Sequence, residues 1–69
     1  MYRQRIRSGK LKSVGYDFGR KILEVELHRG DIYQFFEVPQ SMYYTLMAAE
    51  SKNTYFDFFI YRKFPMRRL

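Results

Sequence analysis

Glu24 and Glu26, two positions apart in the stretch ILEVEL, are the residues whose type and spacing first suggest chemistry. On an extended strand they share a face about 7 Å apart, a separation that the carboxylates of glycosidases also use. Alternating solvated positions explain the same pattern without catalysis, and a chain of 69 residues leaves little room for a cleft. His28 is the only histidine, it falls in a turn, and neither a cysteine nor a Gly-x-Ser-x-Gly elbow accompanies it. The glycines are scattered singly, so no phosphate-cradling loop is present. With no cysteine in the chain, thiolate zinc sites and cysteine redox chemistry are excluded. No catalytic residue, no metal ligand and no cofactor is assigned, and the chain reads as something other than an enzyme.

The constellation that does carry a mechanism is aromatic and basic. Single-stranded nucleic acids bind where exposed rings stack on bases while lysines and arginines follow the phosphates, at about 1–3 kcal/mol per stacked base. Seven Tyr and seven Phe supply rings, and the net charge of +6 is concentrated at the ends of the chain. Arg3, Arg5, Arg7, Lys10 and Lys12 precede the first acid; Arg62, Lys63, Arg67 and Arg68 follow the last. Between them the acids outnumber the cations, so a mildly acidic body carries basic extremities. These could grip a phosphate backbone if both emerge on one side. Solvated, loose termini are the plainer alternative.

The elements that must position these groups are legible from periodicity. Val14 and Tyr16, then Leu23, Val25 and Leu27, then Tyr33 and Phe35 alternate with polar residues as strands do. Requiring every apolar side chain to share a face fixes the register. A loop at Phe18 to Lys21 sets Tyr16 opposite Leu23 and Val14 opposite Val25. A loop at His28-Arg29-Gly30 sets Val25 opposite Tyr33 and Leu23 opposite Phe35, with Gly30 at the left-handed position. The Arg-Gly-Asp of residues 29–31 is then a hairpin tip rather than an adhesion signal. Residues 2–8 alternate weakly and could add a fourth strand. Pro39 suits the first position of a helix running to about Glu50, with Met42, Tyr43, Leu46 and Met47 on one side. A second helix, capped by Asn53 or Thr54 and ended by Pro65, would turn Tyr55, Phe56, Phe59 and Ile60 inward and hold Arg62 and Lys63 in its last turn. The expected architecture is a small α+β domain: a three-stranded, or with residues 2–8 four-stranded, antiparallel meander followed by two helices on one sheet face. No signal-peptide region opens the sequence and no apolar run is long enough to cross a bilayer, so a cytoplasmic protein is expected.

Taken in order, VGYD, ILEVELHRGDIYQF, EVP, AAES and TYFD resemble the KTSC domain. This is a short module named for its occurrence at the C-terminus of some lysyl-tRNA synthetases and also found alone in small bacterial proteins. The resemblance covers residues 12–64, leaving a basic segment at residues 1–11 and a basic tail at residues 65–69. Departures are the Tyr-x-Tyr pattern appearing as Tyr33-Gln34-Phe35, Asn53 at a usual glycine, and Ile60-Tyr61 where Ile-Arg is expected, with Arg62 one step later. The resemblance implies no reaction; its attachment to a synthetase suggests RNA binding.

The functional expectation is a non-catalytic module for RNA or single-stranded nucleic acid. It would use Arg3, Arg5, Arg7, Lys10, Lys12, Arg62, Lys63, Arg67 and Arg68 with the rings of Phe58 and Tyr61. The alternative is a protein-interaction module, a homodimer or accessory subunit, using Ile32, Gln34 and Phe36 on the uncovered sheet face or Phe58 on the last helix.

Overall fold

A computed structural model describes residues 1–69. Five strands form one antiparallel sheet in the order of the chain: β1 (Gln4–Arg5), β2 (Leu11–Asp17), β3 (Ile22–Leu27), β4 (Ile32–Phe35) and β5 (Met66–Arg68). Between β4 and β5 lie α1 (Gln40–Ala48), a short α2 (Lys52–Tyr55) and a π-helical turn over Phe56–Ile60.

The central register is the one the apolar alternation requires. Val14 faces Val25, Tyr16 faces Leu23, Val25 faces Tyr33 and Leu23 faces Phe35. At the first turn Asp17 Oδ1 accepts the backbone N–H groups of Gly19 and Arg20, each at 3.0 Å. Such side-chain capping of a turn is what aspartate does well. At the second, the Leu27 N–H donates to the Asp31 carbonyl at 2.8 Å, which closes a three-residue loop, and Gly30 takes a φ of 106°. The Arg-Gly-Asp is folded on itself: Arg29 Nε lies 2.5 Å from Asp31 Oδ2.

Leu11, Val14, Tyr16, Leu23, Val25, Leu27, Tyr33 and Phe35 from the strands meet Val38, Leu46, Phe56 and Ile60 beneath the helices. Burying each of the larger apolar side chains contributes about 1.5–3 kcal/mol. The Tyr16 hydroxyl donates to the Val38 carbonyl at 2.5 Å, satisfying two buried polar atoms in the core and fastening the strand to the chain entering α1.

The expected α+β plan, an antiparallel meander with helices packed on one face, is present, and residues 2–8 supply the further strand; the strand count and the helix boundaries differ. The sheet has five strands, because both basic ends pair: β1 on β2 and β5 on β4. Residues 65–69 are therefore no free tail. Pro39 is the N-cap of α1, extended at ψ 145°, and not its first turn. The second helix begins earlier, capped by Ser51, whose Oγ accepts the Thr54 N–H, and it ends at Ile60 instead of running to Pro65. In its last turn the Tyr61 N–H bonds the Phe56 carbonyl at 2.8 Å, five residues back. That wider turn keeps Phe56 and Ile60 inward and leaves Phe59 outside, 55% exposed and against Tyr55 at 4.9 Å between ring centroids. Arg62 and Lys63 lie beyond the helix, Arg62 at φ 62°.

Candidate nucleic-acid interface

The sheet face not covered by helices carries Ser13, Gly15, Glu24, Glu26, Ile32 and Gln34, the residues that alternate with the core set. The pairing across it runs Gly15–Glu24–Gln34–Arg67, one residue from each of β2 to β5. The first strand completes the row. The backbone at Tyr2 passes so close over Gly15 that any Cβ there would collide with the Tyr2 carbonyl, which explains a glycine in the middle of a buried strand.

Glu24 is the centre of this face and is buried, at 5% exposure. Arg3 Nη1 pairs with its Oε2, and Gln34 Nε2 donates to its Oε1 at 2.9 Å. Arg3 Nε also donates to Ser13 Oγ at 3.2 Å, and that hydroxyl in turn donates to Glu26 Oε1 at 2.8 Å. The Glu26 carboxyl is held below its ordinary range, first by the Ser13 hydrogen bond and then by the charges of Lys12, Arg3 and Arg5. Both glutamates thus act as anchors for the start of the chain on this face.

A groove of about 680 Å³ crosses the strands here, among Tyr2, Phe18, Arg20, Ile22, Phe36 and Arg67, with Glu24 and Gln34 in its floor. Tyr2 is 85% exposed and Phe18 50%. Arg20 and Arg67 make no ion pair, nor does Arg5, which opposes Ser13 on the neighbouring part of the same face. The two edges of a five-stranded sheet are about 19 Å apart at about 4.8 Å per strand.

The basic ends therefore emerge at opposite edges, yet reach one face, and they are not all free. Arg3 is consumed by Glu24 and Glu26, and Lys12 lies 3.9 Å from Glu26. Lys10 pairs with Asp57 at 2.7 Å while sitting 5.4 Å above the Phe56 ring and 5.5 Å above that of Tyr61. Arg68 pairs with Asp31 at 2.9 Å. Arg5, Arg7, Arg62, Lys63 and Arg67 remain exposed and unpaired. Tyr61 is half-buried, 5.9 Å from the Phe56 ring centroid, with the Arg62 guanidinium 5.5 Å from its own; Phe58 stands 67% exposed. Of the residues expected for protein contact, Ile32, Gln34 and Phe36 are half-buried on a face that Arg3, Glu24 and Arg67 make polar.

Tyr2, Phe18 and Arg20 line the groove without having been singled out from the sequence, whereas Ile22 lies on the uncovered face, where alternation along β3 puts it. The weak alternation of residues 2–8 was the available signal for Tyr2. Asn53 has another role than the left-handed one a glycine would fill: from within α2 its Oδ1 accepts the Lys10 N–H at 3.1 Å and pairs with Ser8 Oγ.

The model of the KTSC domain matches residues 7–64. The chain belongs to the KTSC domain family. A crystal structure of a KTSC domain protein from Yersinia pestis superposes with a TM-score of 0.94 at 35% identity, covering 99% of this chain and 96% of that one. A protein of Stutzerimonas stutzeri (strain A1501), described as uncharacterized, is 37% identical over 57 residues, 83% of this chain and 80% of its own length. Both likenesses span nearly the whole KTSC domain, and neither description lends support to a tie with lysyl-tRNA synthetase. No helix of this KTSC protein is long and apolar enough to cross a membrane.

Proposed function

We propose that this KTSC domain is a non-catalytic binding module for RNA or other single-stranded nucleic acid, which lies across the open sheet face from β1 to β5. The observation that carries this reading is the state of Glu24. A bare carboxylate at the centre of the sheet would repel phosphate, but Arg3 and Gln34 occupy both its oxygens. Around it stand the unpaired cations Arg5, Arg20 and Arg67 and the accessible rings of Tyr2, Phe18 and Phe36. Rings for stacking and arginines for phosphates on an open antiparallel sheet suit a splayed single strand. Lys12 adds positive potential beside Glu26 on the same face, more weakly because its charge is paired, whereas Lys10 and Arg62 lie against Phe56 and Tyr61 of the helical segment.

Fluorescence anisotropy with a labelled octaribonucleotide tests this. Three phosphate contacts to a single strand give a slope of about −2 in log K against log salt, so affinity falls about twenty-fold from about 50 to about 200 mM salt. Charge removal at Arg5, Arg20 and Arg67 lowers affinity at fixed salt. Affinity indifferent to both would reject the reading.

A second reading rests on the exposed rings of Phe58 and Phe59, which a protein partner or a second copy of this chain would cover. It requires sedimentation to report an assembly that Phe58→Ser disperses.

A further inference from the structure

The sheet is open along its backbone at β5. The Phe36 N–H donates to the Pro65 carbonyl and the Leu69 N–H to the Ile32 carbonyl, each at 2.8 Å. In an antiparallel ladder this turns the backbone groups of Pro65, Arg67 and Leu69 toward β4 and those of Met66 and Arg68 away from it. β5 is the last strand in the sheet order, and no other segment of the chain pairs with the outward N–H and C=O groups of Met66 and Arg68. All of β5 is exposed. Such an edge is a template for one more strand.

The side chains say which strand it suits. Arg62, Lys63, Arg67 and Arg68 lie between residues 62 and 69, and no acid lies among them. A second copy of this chain would bring its own Arg67 and Arg68, or the Arg5 of its β1 edge, against these cations, and like charges on adjacent strands are unfavourable. The charges that keep copies apart at the edge are the ones an acidic strand would neutralise. Arg68 is already answered by Asp31 at 2.9 Å, whereas Arg67, opposite Gln34 on the open face, has no ion-pair partner. On the other face Met66, opposite Phe35, is 38% exposed. A strand laid along β5 therefore meets an unpaired cation on one side and an apolar side chain on the other.

We propose that the β5 edge takes, as a sixth strand, an extended segment of another protein in which acidic and apolar residues alternate. Its backbone pairs with Met66 and Arg68, its acids stand beside Arg67, and its apolar residues cover Met66. This pairing uses backbone groups at the edge and requires nothing of nucleic-acid binding on the face.

A capped heptapeptide alternating glutamate and valine is added to the protein, with its lysine–valine counterpart as control, and amide exchange is followed by NMR. The expected result is binding of the acidic peptide about ten-fold tighter than the basic one, with exchange slowed at the Met66 and Arg68 amides and little changed at Arg67, whose N–H already faces β4. Met66→Pro deletes one outward donor and leaves the bonds to β4 in place, as proline does on an edge strand, and it lowers affinity for the acidic peptide about ten-fold. Equal binding of the two peptides, or binding of neither, overturns the proposal. Acidic-peptide binding that leaves the Met66 and Arg68 amides exchanging as before overturns the added strand, and so does full affinity in Met66→Pro.

Discussion

Arg3, immediately before β1, reaches across β2 to pair with Glu24 on β3, and with its bond to Ser13 this fastens the beginning of the chain to the middle of the sheet. It also converts a buried carboxylate from a liability into an anchor. Removing the cation leaves Glu24 charged and unpaired at 5% exposure. Arg3→Ala is expected to lower unfolding free energy by about 2–3 kcal/mol, and Glu24→Gln in the same chain to recover part of that loss. Urea unfolding of the two single variants and the double variant measures the coupling.

Gly15 sets how closely β1 can lie. An added Cβ meets the Tyr2 carbonyl, which is backbone and cannot swing aside. Gly15→Ala is expected to lift β1 off β2 while β2 to β4 persist. Hydrogen exchange will show faster amides at residues 4–6 against unchanged protection at Val25 and Tyr33.

The Tyr16 hydroxyl and the Val38 carbonyl satisfy one another inside the core. Tyr16→Phe strands the carbonyl and is expected to cost about 1–3 kcal/mol, read by thermal or urea unfolding. Burial, with the Asp17 charge beside it, pushes the Tyr16 hydroxyl above its ordinary range. The unfolded chain therefore releases this proton at lower pH than the folded one, and stability falls as pH rises above the ordinary tyrosine value.

Glu26 behaves in the opposite sense. Its carboxyl is depressed in the folded state, first by the Ser13 hydroxyl. Its contribution is complete above the ordinary glutamate range and disappears as pH falls through the depressed value. Carboxyl NMR titration will find Glu26 below ordinary glutamate, and Ser13→Ala will move it upward; a titration unmoved by that substitution contradicts the arrangement.

The meander was legible because Val14, Tyr16, Leu23, Val25, Tyr33 and Phe35 alternate strictly, and a one-residue slip would send all of them into water. The edge strands were not legible. Met66-Arg67-Arg68 buries nothing, so β5 has no apolar pattern and is held by backbone pairing with β4. Phe59 was misplaced for a different reason: 3.6-residue spacing assigns it inward, but a turn closed over five residues changes the angle between Phe56 and Phe59. Of the candidate interface, the cations were visible and their pairing was not. Arg3–Glu24 and Lys10–Asp57 join residues far apart in sequence, and no local spacing encodes them.

The central claim, that the open sheet face binds a single strand beside a neutralised Glu24, is tested most directly by NMR. The backbone amides of this 69-residue chain are followed as an octaribonucleotide is added. The expected result is shifts confined to Tyr2, Arg5, Arg20, Ile22, Gln34, Phe36 and Arg67, reversed by added salt. Shifts confined to Phe58 and Phe59, or none at low salt, would contradict it.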